Sequence, residues 1–224
     1  MARPSRIHVP GAFYHVILRA NADQVLFQDD EDWRNFKSLL ADGVDRFDHQ
    51  IHCFCGLNNH AHLAVRGGEQ TLSKIFHNSN SRYGLDFNKR HGRHGHVFHG
   101  RFRSILVDSD EYLHELVRYI HLNPVRAQVV TDPEAYPWSS YSAYVDPGSR
   151  SPSWLVHSFA LSLLAEDPSE ARTEFRALTE REIEEPTDHN ESPADLEWEP
   201  GAGQRVRPAT TSQSAQTPLP ARSE

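Results

Sequence analysis

The chain has 224 residues, is 38% hydrophobic and 10% aromatic, and carries a formal net charge of −8 with 15 histidines. That length suits one ordinary domain with a sizeable core plus an appendage. No apolar run is long enough to span a membrane, and the opening MARPSRIHVPGAFYHV lacks the order of a secretory signal, so a cytoplasmic location is expected.

The acidic balance argues against a nucleic-acid partner only until the chain is divided. Residues 1–150 hold 17 basic and 17 acidic side chains, whereas 151–224 hold 6 and 14. Within the neutral part, Arg82, Lys89, Arg90, Arg93, Arg101 and Arg103 are opposed along the chain only by Asp86, with His91, His94, His96 and His99 among them. Such a patch is either a phosphate-binding footprint or a solvated basic face.

In chain order, Phe13–Arg19 (FYHVILR) is aromatic and β-branched and predicts a strand. The acidic run Asp29–Asp32 opens a helix to Phe47, with Trp33, Phe36, Leu39, Leu40, Val44 and Phe47 at helical spacing. Ile51–Leu57 and His60–Arg66 predict two strands joined by a tight turn at Asn58-Asn59. Cys53 and Cys55 share one face of the first of these, a poor geometry for a disulfide, and are expected to be reduced core residues. Leu72–Asn88 predicts a second helix, weakened by Gly84, then a Gly/His-rich basic loop Lys89–Gly100 and a fourth strand Phe102–Val107.

Asp108–Asn123 predicts a third helix, with capping-box spacing at Asp108 and Glu111 and Pro124 as its stop. Leu113, Leu116, Val117 and Ile120 form its buried stripe, with Tyr119 and Asn123 one turn apart on its flank. The order β-α-β-β-α-β plus one helix predicts an α+β, ferredoxin-like antiparallel sheet. Tyr136–Val145 is an aromatic segment expected to pack on the core. Trp154–Leu164 and Glu170–Glu185 predict short helices. From Pro186 onward, polar, Pro/Gly-rich and acidic composition predicts disorder. The expected organisation is therefore a domain over 1–148, a helical appendage over 149–185 and an acidic tail over 186–224.

Two places carry candidate chemistry. His60 and His62, at i and i+2 of a strand, share a face and can offer two imidazoles to one divalent cation. Taken singly, the pair reads first as polar histidines on an exposed strand. Tyr119 and Asn123 read singly as a packing tyrosine and a helix end.

Four segments change that balance: NNHAHLAV (58–65), FNKRHGRHGHVFHGRFRSILVDSDEYL (87–113), RYIHLNPVRA (118–127) and YPWSSY (136–141). Together and in this order they resemble the REP-associated tyrosine transposases, relatives of the single-tyrosine IS200-like transposases, over residues 5–145. The resemblance implies metal ligation by His60 and His62, which match the family's histidine–hydrophobic–histidine motif. It makes Tyr119 the nucleophile and Asn123 the polar residue one turn later. Ala61, Asn58 and Asp86 depart from the usual residues without removing a ligand, and Tyr83 competes poorly because Phe87 occupies the position one turn on.

The implied activity is Mg²⁺- or Mn²⁺-dependent cleavage and transfer of single-stranded DNA, next to a hairpin, through a 5′-phosphotyrosine. The six basic residues named above would hold the DNA backbone, and Phe98 and Phe102 would either stack bases or belong to the core. A DNA-binding protein that keeps the fold without cleavage is the alternative. A metal hydrolase unrelated to DNA fits less well, since no acidic second ligand joins the histidines. Both a monomer and a homodimer remain compatible with the sequence, with the Tyr119 helix acting in cis or in trans.

Overall fold

The alternation in FYHVILR gives β1 (Phe13–Arg19) two chemically different faces, and the molecule is layered on them. The computed structural model describes residues 8–21 and 24–185 and the backbone of 205–206. β1 is followed by α1 (Asp30–Phe47), the hairpin β2 (Gln50–Leu57) and β3 (His60–Arg66), α2 (Leu72–Arg90), β4 (Arg103–Val107) and α3 (Asp110–Arg126). The sheet order is β2-β3-β1-β4, antiparallel throughout, the ferredoxin-like arrangement. Backbone pairing of β5 (Arg205–Val206) extends the β4 edge in parallel; the rest of the tail expected to be disordered lies outside the described residues.

Tyr14, Val16, Leu18, Leu63 and Val65 point to one face, where α1 and α2 bury Trp33, Phe36, Leu40, Phe76 and Tyr83 on them. Cys53, Cys55 and Ala64 point to the other, beneath Leu113, Leu116, Val117 and Ile120 of α3. Both cysteines are unpaired and buried, as expected from their shared face. Burying the α3 stripe removes each such side chain from water for about 1.5–3 kcal/mol apiece, an upper range, and that fixes the helix across the hairpin.

The ends of the helices follow local chemistry. Asp29 caps α1 by accepting from the amides of Glu31 and Asp32. α3 is capped by Ser109, whose Oγ accepts from Tyr112 N at 3.1 Å, rather than by the expected Asp108. Pro124 does not stop α3, which continues to Arg126. A proline there removes the donor that Ile120 O would receive. Asn123 Nδ2 supplies one instead, reaching Tyr119 O at 2.8 Å and Ile120 O at 3.4 Å.

The aromatic segment closes the β2 edge. Tyr136 Oη donates to Gly56 O at 2.7 Å, Ser140 Oγ accepts from Phe54 N at 2.9 Å, and Tyr144 Oη donates to His52 O at 2.8 Å. It continues into α4 (Tyr141–Val145), followed by α5 (Ser158–Ser162) and α6 (Pro168–Glu184). The helices expected over Trp154–Leu164 and Glu170–Glu185 are thus shorter and longer than read. Phe175 of α6 is buried against His121, Tyr141 and Tyr144, so residues 149–185 share the core of α3.

Gly56 is required by packing. A Cβ there would stand 2.6 Å from the Trp33 ring. Gly56→Ala is expected to cost about 1–3 kcal/mol through overpacking, read as a lowered thermal midpoint.

Candidate active site

The register of the central strands assembles the site. His60 and His62 occupy the α3 face of β3, with Arg19 directly opposite His60 and Ile17 opposite His62. The rings of His60 and His62 are 4.9 Å apart between centroids and nearly perpendicular. His60 Nδ1 lies 2.6 Å from Asn59 Oδ1 and His62 Nδ1 lies 2.8 Å from His15 Nε2, so Nε2 is the nitrogen each ring would present to a ligand.

α3 brings Tyr119 over His62 and His15 from the same chain, its centroid 5.7 Å from His62 and 5.9 Å from His15. The expected alignment of the helix with β3 is therefore present in cis for Tyr119. Asn123 is buried one turn along, its amide nitrogen tied to the helix carbonyls, which turns Oδ1 away from them. Tyr83, the competing tyrosine, is fully buried and donates to Leu26 O, and burial raises its phenol far above the ordinary range. It is a core residue.

Electrostatically the floor of the site is neutral and its rim is basic. Burial, with the Arg103 charge second, lowers His15 to about 3, and burial followed by the charges of His15, His60 and Arg19 holds His62 well below its ordinary value. Arg103 pairs with Ile17 on the same face. The Arg126 guanidinium stacks 4.8 Å from the centroid of the Tyr119 ring and is held by Glu182 of α6 at 2.5 Å. Arg118 reaches the same carboxylate at 3.2 Å, so one acid on α6 grips α3 on both sides of Tyr119.

The other basic residues divide. Arg90, read along the chain as part of an unopposed patch, is enclosed by Asp29 and Asp32 at 2.6 Å each and by Glu31 at 3.2 Å. Arg82 is paired with Asp42. Arg93 lies over the Phe87 ring, while Lys89 and Arg101 are exposed. Phe102 is buried on Phe76, and Phe98 packs half-buried against Tyr83, which favours the core reading of both.

The residues that sequence reading missed are His15, Arg19, Arg126 and Glu182. His15 left one signal: it is the sole basic side chain in the run Phe13–Leu18, and its parity matches Phe13 and Ile17.

Among the described residues no group of three His, Cys, Asp or Glu side chains is arranged to hold a metal. His60 and His62, each with Nδ1 already engaged, stand together as a set of two imidazoles. That set is neutral and suits a divalent cation of borderline character.

Comparison with known proteins identifies the family. A family model described as transposase IS200-like matches residues 8–123, and the chain belongs to that family. The fold is shared with a REP-associated tyrosine transposase solved bound to a REP hairpin, at a TM-score of 0.55 and 16% identity over 70% of this chain and 92% of that one. A Deinococcus radiodurans R1 chain described as a transposase matches at a TM-score of 0.37 and 16% identity, over 57% of this chain and 92% of that one. No curated protein matches. Among the described residues no helix is long and apolar enough to cross a membrane.

Proposed function

We propose that this chain cleaves and transfers single-stranded DNA at hairpin-forming repeats, with Tyr119 as nucleophile. The observation that carries the reading is the approach of the Tyr119 ring to within 5.7 Å of His62 in the same chain. Family membership and the hairpin bound by the REP-associated transposase of similar fold support the choice of DNA.

A phenol ordinarily titrates near 10 and is mostly protonated at neutral pH, so attack on phosphorus needs help in losing the proton. The Arg126 guanidinium stands against the ring face, 4.8 Å from its centroid. Attack by Tyr119 Oη forms a P–O bond and expels the 3′-oxygen, leaving the 5′-phosphate on the tyrosine. The bond energy is kept in that link, so a 3′-hydroxyl reverses the step without ATP. His60, His62 and Asn123 are the residues that would hold Mg²⁺ or Mn²⁺, which when bound supplies Lewis-acid polarisation of the scissile phosphate. Two imidazoles in the set favour Mn²⁺ over the oxygen-loving Mg²⁺.

Arg19, Arg103, Arg101 and Lys89 frame the backbone path. Arg82 and Arg90 contribute chiefly to holding α1 against α2, because their charges are already met.

The test is to incubate the protein with end-labelled hairpin oligonucleotides from the host's repeats and Mn²⁺, then isolate a denaturant-resistant adduct and map it by peptide mass spectrometry. Phosphodeoxynucleotide on the peptide containing Tyr119 is expected. Specific hairpin binding without any adduct would replace this reading with that of a DNA-binding protein.

A further inference from the structure

We propose that His15 is a positioning residue that sets the ring orientation and tautomer of His62, making its Nε2 the coordinating atom. The inference rests on the metal-binding role proposed above for His60 and His62.

The antiparallel register pairs Ile17 with His62 and His15 with Ala64, so His15 and His62 are diagonal neighbours on the α3 face. Their nitrogens stand 2.8 Å apart, the rings stack at 28°, and the residues are 0% and 1% exposed. One hydrogen lies between the two nitrogens, and either ring can own it. If His15 donates from Nε2, the hydrogen of His62 sits on its own Nε2 and blocks coordination there. If His62 donates from Nδ1, its Nε2 lone pair faces outward and His15 carries its hydrogen on Nδ1. A bound cation selects the second arrangement.

The cost of keeping His15 is visible. Its Nδ1 is buried without a hydrogen-bond partner, a penalty an apolar side chain at this position would avoid. Its neighbours on this face of β1, Phe13 and Ile17, are apolar, so packing alone gives no reason for an imidazole. The hydrogen bond to His62 is the return. Loss of such an outer partner lowers metal affinity by about 10–100-fold.

The experiment titrates Mn²⁺ into wild type, His60→Ala, His15→Phe and His15→Gln, following free Mn²⁺ by EPR, with thermal melts as a check on folding. Wild-type binding lost in His60→Ala establishes the site. His15→Phe is then expected to bind about 10–100-fold more weakly, while His15→Gln, whose Oε1 accepts from Nδ1–H, recovers most of the loss. The tautomer is read independently in the full-length wild type: long-range ¹H–¹⁵N spectra with diamagnetic Zn²⁺ are expected to place the His62 hydrogen on Nδ1. His15→Phe binding Mn²⁺ as wild type does, or a hydrogen on His62 Nε2 in the Zn²⁺-loaded protein, would overturn the role of His15. Equal Mn²⁺ binding by His60→Ala and wild type would instead overturn the metal assignment itself. If His15→Phe does not fold, the wild-type spectrum decides.

Discussion

Tyr119→Phe is expected to abolish the covalent protein–DNA adduct and lower hairpin cleavage by on the order of 10³-fold or more, while the protein stays folded. The substitution removes one oxygen and keeps the ring that Arg126 and the His15–His62 pair contact. Its thermal midpoint should therefore lie within about 4 °C of wild type. Tyr83→Phe is the internal contrast. It deletes a buried phenol that donates to Leu26 O, so it should cost about 1–2 kcal/mol and leave adduct formation intact. Gel-resolved adducts and melting curves of both variants check the pair. Cleavage retained by Tyr119→Phe would move the nucleophile elsewhere.

The contrast also shows what one sequence makes legible. The four antiparallel strands and the helices between them follow from periods of 2 and 3.6, which are local, and the structure reproduces their order. Tyr119 beside His62 was legible only because the motifs occur together, and the packing of α3 over β2 and β3 supplied the geometry. His15 was not legible: its partner is 47 residues away, and a one-residue slip of β1 would have put it in the other core.

The stop expected at Pro124 failed for a different reason. The rule assumes that the lost amide stays lost, and here the preceding side chain, Asn123, replaces it. The basic patch was misleading because charge was summed along the chain. Asp29, Asp32 and Asp42 meet Arg90 and Arg82 through α1–α2 packing, across separations of 40 to 61 residues. The same long range hides Glu182, whose two arginines stand on another helix.

Acid should unfold this protein earlier than carboxylate chemistry alone would. His49 and His52 are buried, and burial lowers each to about 4. In His49 the nearby Asp48 charge opposes the shift; in His52 the Arg66 charge adds to it and a backbone hydrogen bond at Val156 opposes it. The unfolded chain takes up these protons below pH 6.5 and the folded chain does not. Stability from this source is intact above pH 6.5 and is lost as pH falls towards 4, reaching roughly 3 kcal/mol per histidine. Two such losses are comparable with the ~5–15 kcal/mol that a domain possesses. Stability is accordingly expected to fall steadily between pH 6.5 and 4.5, measured by urea melts in metal-free buffer between pH 7.5 and 4.5. His52→Phe isolates one contribution, because its ring replaces an imidazole that packs against Phe13 and Phe159. That variant should show a slope of stability against pH shallower by up to ~1.4 kcal/mol per pH unit between 6 and 4.5, the worth of one proton. An unchanged slope would mean that His52 takes up its proton in the folded protein.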